Sequence, residues 1–286
     1  MKRFAGTLVV SVCVAAASLV VVHAQGKGKT DPNLMTIAKA GQVIRNPKTM
    51  AIYWGSAWNN PATAGDIITG MDSFFTGLSD SHFAELASEY GDKNGLISSL
   101  SIYLGHVIDS TEPPAGALST SAVVAEACKA SGNNPDPNGV YFVYTSTPAS
   151  LPGTCAIRAY GTCGARRLPV QAVYVPYMTG TDGQCRGVLD QGDDGSVTGH
   201  STALGQYGNV AANQFMNNIT DPNGNGWKDA FGDGIAFKCD GIFIPSGNFE
   251  QFSDGSLWTV RMKWSNAAYQ AGTGALNHKG LPGCVY

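Results

Sequence analysis

The cysteine pattern is the feature that most constrains the fold of this chain, because six of its seven cysteines follow an N-terminal apolar segment. An even number of cysteines in an oxidising compartment predicts up to three disulfides. The spacing leaves the pairing open; we expect local pairing among Cys155, Cys163 and Cys185, and a separate bond from Cys239 to Cys284. A zinc site is the alternative, which the lack of any C-x-x-C pair disfavours. The six candidates are Cys128, Cys155, Cys163, Cys185, Cys239 and Cys284.

The first 24 residues have the pattern of a secretory signal peptide. Lys2 and Arg3 precede an apolar run over Phe4–Val22, and small residues stand before Gln25. We therefore expect cleavage after Ala24, export, and an extracellular protein with no membrane association once the peptide is removed. A retained membrane anchor is the alternative, because an apolar run of this length approaches what a bilayer requires.

The charge balance excludes polyanionic partners. The chain has 18 basic residues, of which Lys2 and Arg3 leave with the signal peptide, so 16 remain against 21 acidic residues and the net charge is −5. No basic field is therefore available to hold nucleic acid or an anionic membrane. The low charged fraction, 14%, and the 36 glycines are typical of a loop-rich extracellular protein. We expect the partner to be an extracellular protein or a polysaccharide.

Hydrophobic periodicity predicts an α+β fold. We expect residues 25–48 to form a flexible lead-in and 49–286 a single domain in which helices pack on a mixed β-sheet. The predicted strands are Met50–Trp54, Leu100–Leu104, Gly139–Thr145 and Val170–Tyr177. The predicted helices are Ile67–Leu78, Phe83–Tyr90, Ser119–Ala130 and Gly205–Asn218.

A further strand is predicted near the end of the chain, where apolar and polar residues alternate over Trp258–Trp264. Its apolar side chains would face the core. Thr259, Arg261 and Lys263 would then face solvent, so we expect a half-exposed strand.

Three segments together resemble a known family. Residues 219–241 read ITDPNGNGWKDAFGDGIAFKCDG, residues 52–58 read IYWGSAW, and the chain closes with WTVRMKWSNA and GCVY. This set resembles the phosphate-induced protein 1 or EXORDIUM-like family of secreted proteins, most specifically over Ala211–Cys239. The resemblance implies a cell-wall or matrix protein linked to growth regulation.

The same resemblance points to a helix that has lost a metal site. Relatives in bacteria and fungi commonly carry S-H-E-x-x-E-x-x-T-D-P, which resembles a zinc-peptidase helix. Here Asn213 stands at the His position, Gln214 at the acid/base Glu position and Asn217 at the second ligand position. We call these three residues the amide triplet, on a zincin-like helix at Gly205–Asn218.

Neutral amides change what this helix can do. Zinc requires imidazole, thiolate or carboxylate ligands, and the water that it activates needs a proton acceptor. The resemblance therefore implies a non-catalytic protein, with the amide triplet lying either on a solvent-facing helix or in a retained, metal-free groove. The alternative is a secreted metal-dependent hydrolase whose ligands lie elsewhere, for example His200 with Asp193 or Asp194. The cysteine loop also departs from the family, having Arg166 where relatives often have His.

The turn after this helix is a candidate calcium site. Oxygen-bearing side chains stand at Asp221, Asn223, Asn225 and Asp229, with a glycine at the sixth position, as in an EF-hand loop. The closing glutamate is absent, since the twelfth position is Gly232. An ion-free turn rich in Asx and Gly explains the same composition. We expect no other cofactor.

Other motifs are weaker. Gly199–Ala203 resembles a lipase nucleophile elbow, but it lacks the final glycine and the preceding apolar strand. The IYWG segment at 52–55 resembles a chitinase strand, but no series of carboxylates follows it. Trp54 and Trp58 fit either a core or a sugar-stacking surface. Asn218 begins a glycosylation sequon.

Overall fold

A computed structural model describes residues 31–148, 154–179, 197–244 and 249–286. The strands are β1 Thr36–Ile37, β2 Lys48–Trp54, β3 Gly91–Asp92, β4 Gly95–Leu96, β5 Ile102–Asp109, β6 Gly139–Thr145, β7 Ile157–Cys163, β8 Leu168–Val175, β9 Trp227–Lys228, β10 Glu250–Gln251, β11 Leu257–Trp258, β12 Lys263–Trp264 and β13 Cys284–Val285. The helices are α1 Pro61–Ala64, α2 Ile67–Gly77, α3 His82–Glu85, α4 Thr120–Ala130, α5 Thr202–Thr220, α6 Ile235–Lys238 and α7 Asn266–Ala271. None of the described helices is long and apolar enough to cross a bilayer.

The main sheet has five strands in the order β5-β2-β6-β8-β7. Strands β5, β2, β6 and β8 are parallel, and β7 pairs antiparallel with β8 at one edge. Parallel neighbours need crossover connections, which here contain α1 to α3 between β2 and β5, and α4 between β5 and β6. The predicted mixed sheet with packed helices is therefore confirmed.

Apolar side chains fill both faces of this sheet. On one face α2 and α5 cover Tyr53 and Phe142, and on the other α4 covers Ile52 and Val143. Every residue of β6 is buried, as expected for a central parallel strand that is covered on both faces. The sheet thus holds α5 against one face, and this helix carries the amide triplet.

Two described disulfides join elements that are distant in sequence. Cys239 bonds to Cys284 as expected and links the end of α6 to β13. The expected local pairing of Cys163 is wrong, because Cys163 bonds to Cys128 and ties β7 to α4. Cys155 is also disulfide-bonded, and Cys185 lies outside the described residues.

Residues 32–48 of the predicted lead-in are packed against the rest of the domain rather than loose. Met35, Val43 and Ile44 are buried in the main core. Strand β1 pairs with β9, and Ile44 donates a main-chain hydrogen bond to Ile219 at the end of α5. The polar composition of the segment gave no indication of these three buried side chains, which anchor it to the core.

The segment Trp258–Trp264 also differs from the predicted half-exposed strand. Trp258 and Trp264 are buried as expected, but Thr259 and Lys263 are buried as well, with Lys263 fully inaccessible. The segment is divided between β11 and β12, and Trp258 and Lys263 both contact α5, at Gly208 and Asn213 respectively. The alternation in sequence is therefore real, but both of its faces are covered.

Strand β5 forms the other edge of the sheet and contains a bulge. The register with β2 shifts between Thr49 and Ala51, where β5 has one extra residue next to Gly105. Gly105 has a φ of 89°, which only glycine adopts without strain. Ile102 and Leu104, which precede it, are among the exposed large apolar side chains of the protein.

Candidate functional site: a cleft beside a buried helix

Helix α5 organises the site and begins at a well-defined cap. Ser201 Oγ accepts a hydrogen bond from the Leu204 amide at 3.1 Å and donates to Asp66 Oδ1 at 2.6 Å. A serine in this position satisfies one of the free amides of the first helical turn. The serine of the lipase-like motif is therefore a helix cap, and the neighbouring His200 ring lies 4.0 Å from Trp258, centroid to centroid.

The helix has almost no solvent-facing side. Sixteen of its nineteen residues are buried, including the amide-bearing ones. Leu204, Tyr207, Ala211 and Phe215 face the core. Gly208 lies on the same side and leaves room for Trp258, since a Cβ there would come within 2.5 Å of the indole ring. The solvent-facing interpretation of the amide triplet is therefore wrong.

A cleft of about 380 Å³ opens beside α5. Its lining combines apolar side chains with a small number of polar ones, as in many ligand sites. The lining residues are Thr154, Cys155, Ala156, Ile157, Val210, Asn213, Gln214, Phe237, Asp240 and Arg261. Two members of the amide triplet line this cleft, which agrees with the groove interpretation for those two residues.

Two polar atoms at the cleft have no hydrogen-bond partner. Gln214 is 8% exposed and its Oε1 accepts no hydrogen bond, while Arg261 Nε donates none. Arg261 is held in place from its other end, because Nη1 donates to Asp240 Oδ1 and the guanidinium lies 5.5 Å from the Phe243 ring centroid. Unpaired buried polar groups cost free energy unless a ligand or water satisfies them. Both atoms are also inaccessible to solvent, so they do not form part of the cleft surface.

Lys263 lies beneath the cleft and holds Asn213. Its Nζ donates to Asn213 Oδ1 at 3.1 Å and to the main-chain oxygen of Arg261 at 2.9 Å. The Phe83 ring centroid is 5.5 Å from the same nitrogen. Burial lowers the pKa of Lys263 well below its usual value, and the positive charge of Arg261 adds to this shift.

Asn217 is separate from the cleft. Its main-chain oxygen accepts from Arg158 Nη1 at 3.1 Å, and it is 2% exposed. The groove interpretation therefore applies to Asn213 and Gln214, whereas Asn217, one turn further along the same flank of α5, does not line the cleft. Arg166, the other departure from the family pattern, is exposed and bonds to Asn134.

The candidate calcium residues already have partners within the protein. Asp221 accepts from the Gly226 amide at 2.6 Å and lies 3.3 Å from Arg158 and 3.5 Å from Lys228. Asn223 accepts from Gln171, and Asn225 is exposed. These bonds explain the turn without an ion.

Asp229, the last of the four, forms a fully buried ion pair with Lys238 at 2.6 Å. Although burial opposes ionisation, the hydrogen bond from Lys238 keeps the pKa of Asp229 below its usual value. Lys238 also lies over the Trp264 ring, 4.4 Å from its centroid. Calcium binding at this turn stays a prediction, and it would have to compete with these cations.

No group of three or more metal-ligating side chains occurs among the described residues. Asp193 and Asp194, offered as partners for His200, lie outside that part of the chain. Trp54 and Trp58 are both buried, and Trp58 donates its indole N–H to the Tyr144 carbonyl at 3.2 Å, so both belong to the core. Asn218, the sequon residue, is 1% exposed and donates to the Gln214 carbonyl at 2.7 Å.

Sequence reasoning missed the basic residues of the site. Arg261 and Lys263 were expected to face solvent because they alternate with core residues. The alternation identified Trp258 and Trp264 as buried, but nothing local to the segment indicates that α5 also contacts Lys263.

No protein-family model, curated protein or solved structure matches this chain. The EXORDIUM-like resemblance accordingly stays a prediction based on the residues that carry it.

Proposed function

We propose that this chain is a secreted, non-catalytic protein of the EXORDIUM-like type that binds a saccharide of the extracellular matrix or cell wall in the cleft beside α5. The observation that carries this proposal is the lining of the cleft, in which the exposed Phe237 side chain stands together with the polar side chains of Gln214, Asp240 and Arg261. A ligand rich in hydroxyl groups can accept from the Arg261 guanidinium and donate to Asp240, because each hydroxyl both donates and accepts.

The remaining lining fits the same class of ligand. The Phe237 ring is 44% exposed and offers an apolar face for the C–H face of a sugar ring. Asp240 and Arg261, which are paired with each other, present further acceptors and donors. Amide, carboxylate and guanidinium groups beside an exposed ring provide the mixed apolar and polar contacts that saccharide recognition requires.

Two features favour binding over catalysis. Glycoside hydrolysis uses two carboxyl groups across the scissile bond. Among the described residues that line the cleft, Asp240 is the one carboxylate, and it is paired with Arg261.

The second feature is the Lys263 amine beside Asn213, which opposes metal binding at that position. The Lys263 nitrogen occupies the hydrogen-bonding position on Asn213 Oδ1. A zinc ion near that oxygen would have to displace the hydrogen bond from Lys263, and the protonated form of the amine would repel the ion. The neutral Gln214 also supplies no proton acceptor for an activated water.

Secretion is supported by the disulfides. Structural disulfides form and persist in oxidising compartments and are rare in the cytosol. The bonds Cys128–Cys163 and Cys239–Cys284 join separate elements and have the character of structural cross-links. We infer that residues 1–24 direct the chain to that compartment.

Titration of the protein with soluble oligosaccharides of cellulose, β-1,3-glucan, xylan and chitin tests the proposal. We expect one of these probes to bind, and Gln214→Leu to weaken it about tenfold or more, since an unpaired polar partner costs roughly 1–3 kcal/mol. Phe237→Ala should also weaken binding. The matched controls are Gln251→Leu and Phe231→Ala, which change exposed residues outside the cleft.

Three results would contradict this proposal. Equal binding by Gln214→Leu and by the unmodified protein would place the ligand elsewhere. Turnover of the bound oligosaccharide, or stoichiometric zinc in protein purified without added metal, would contradict the non-catalytic assignment.

A further inference from the structure

The two amide side chains of α5 that line the cleft give it an excess of hydrogen-bond donors. Asn213 Oδ1 accepts a hydrogen bond from the Lys263 nitrogen beneath the cleft, at 3.1 Å. Because the oxygen of this amide is directed at Lys263, the part that Asn213 presents to the cleft is its –NH₂ group. Gln214 also lines the cleft, and since its Oε1 is inaccessible to solvent, it too presents –NH₂. Two neighbouring residues of one helix therefore offer donors to a ligand.

The ion pair at the cleft adds one donor and one acceptor. Arg261 Nε is inaccessible and Nη1 donates to Asp240 Oδ1, so Nη2 is the nitrogen left for a ligand. Asp240, whose side chain is 51% exposed, keeps its second oxygen as an acceptor. The guanidinium charge is offset by the carboxylate, and the pair has no net charge. A ligand that fits this lining is therefore neutral and accepts more hydrogen bonds than it donates.

An apolar side chain lies next to the two amides. Val210 precedes Asn213 by three residues and Gln214 by four, so the three side chains share one flank of α5. Ala156 and Ile157 add further apolar surface to the cleft. A small apolar group of the ligand can therefore occupy this part of the cleft while an adjacent oxygen accepts from the amides.

An acetamido group matches this arrangement better than a sugar hydroxyl does. A hydroxyl that accepts from the amides still has a hydrogen to donate. Among the described residues that line the cleft, Asp240 is the one carboxylate that could accept it. An acetamido group combines a carbonyl oxygen that has two lone pairs, a single N–H and a methyl group. It therefore supplies the acceptor, the donor and the apolar contact in one substituent.

We propose that the saccharide bound in this cleft is an N-acetylhexosamine oligomer, with one acetamido group lying against Val210. The proposal rests on the saccharide function proposed above and narrows its ligand. The acetamido carbonyl accepts from Asn213 Nδ2 and Gln214 Nε2, and the methyl group contacts Val210. The exposed ring of Phe237 is then available to the apolar face of a sugar ring.

Three tetrasaccharides that share a β-1,4 backbone test this specificity. They are the tetramers of N-acetylglucosamine, glucosamine and glucose, which carry an acetamido, an amino and a hydroxyl group at C2. In calorimetric titrations the N-acetylated tetramer should bind at least about tenfold more tightly than the other two, because its carbonyl satisfies the amide donors. A peptide probe, N-acetylated tetra-alanine amide, has the same methyl and carbonyl groups and should bind more weakly than the N-acetylated tetramer.

Two variants test the amide donors themselves. Asn213→Asp and Gln214→Glu replace each –NH₂ group by an oxygen of similar size, and Asn213→Asp keeps the acceptor for Lys263. Each should weaken binding of the N-acetylated tetramer about tenfold or more and reduce its advantage over the glucose tetramer. The matched controls are Asn94→Asp and Gln251→Glu, which make the same changes at exposed positions outside the cleft and should leave binding unchanged.

Equal affinity for the three tetrasaccharides, tighter binding of the peptide, or unchanged affinity in both acid variants overturns the proposal. If the three tetrasaccharides bind equally and all lose affinity in Gln214→Leu, the saccharide function of the cleft stands without the acetamido specificity. If none of the three binds, the proposal also fails, and the β-1,3-glucan and xylan probes decide the saccharide function separately. If an acid variant fails to fold, the ligand series on the unmodified protein decides the matter.

Discussion

Replacing Asn213 with Leu should destabilise the protein when Lys263 is present and should cost little when Lys263 has been changed to Met. In the unmodified protein, Asn213 Oδ1 is the side-chain acceptor for the Lys263 nitrogen among the described residues. Removing that acceptor leaves a fully buried amine short of one partner, which costs about 1–3 kcal/mol. The Lys263→Met variant has no buried amine that could lose its hydrogen-bond partner, so Asn213→Leu should cost less than about 0.5 kcal/mol in that background.

Urea unfolding of the four proteins in the cycle, under conditions that keep the disulfides intact, measures this coupling. The control is Asn218→Leu, which removes a bond to a carbonyl of its own helix and should cost the same in both backgrounds. An Asn213→Leu penalty that is equal with and without Lys263 would refute the coupling between these two residues.

The pH dependence supplies a second check on the same pair. Because burial lowers the pKa of Lys263 below the unfolded value of 10.5, the unfolded chain binds more protons than the folded one between the two pKa values. The free energy of unfolding therefore rises with pH between the two pKa values. This gain in stability is lost as the pH falls through the same range. Between about pH 7 and pH 9.5, the unmodified protein should therefore become more stable relative to the Lys263→Met variant. A constant difference would show that the amine titrates normally.

Two further predictions concern the disulfide of the last segment and the amide triplet. Replacing Cys239 and Cys284 together by Ala should lower the free energy of unfolding by about 4 kcal/mol, the loop-closure value for a separation of 45 residues, and an unchanged urea midpoint would contradict this. Changing the amide triplet to His, Glu and Glu should give only weak zinc binding by calorimetry, because Lys263 contacts the first of these positions, and adding Lys263→Gln should strengthen it. Zinc binding by the unmodified protein as tight as that of the four-fold variant would show that the triplet never marked a lost metal site.

Local sequence signals predicted the elements that have strong periodicity or a cap. Helix α4 begins after Ser119, whose hydroxyl accepts from the Ala122 amide at 3.2 Å, and it ends at Ala130 as expected. Strand β6 covers the predicted range Gly139–Thr145. In both cases the determining interactions lie within the element or in its immediate flank.

The site was less predictable because its residues are defined by contacts between distant segments. Lys263 and Asn213 are 50 residues apart, and no periodic pattern in either segment predicts that the two residues are in contact. The pairing of Cys163 with Cys128 was missed for the same reason, since it depends on α4 lying across β7. The polarity of Asn213 and Lys263 indicated surface positions, but contacts between distant segments bury both side chains.

The bulge in β5 has a consequence for self-association. A long edge strand with exposed Ile102 and Leu104 is a template on which a strand from another molecule can pair, and such edges promote aggregation. The extra residue at Gly105 interrupts the row of free amides and carbonyls and reverses the side-chain alternation beyond it. A regular strand from a neighbouring molecule can therefore stay in register with only part of β5, on one side of the bulge, which keeps an apolar edge from seeding an extended intermolecular sheet.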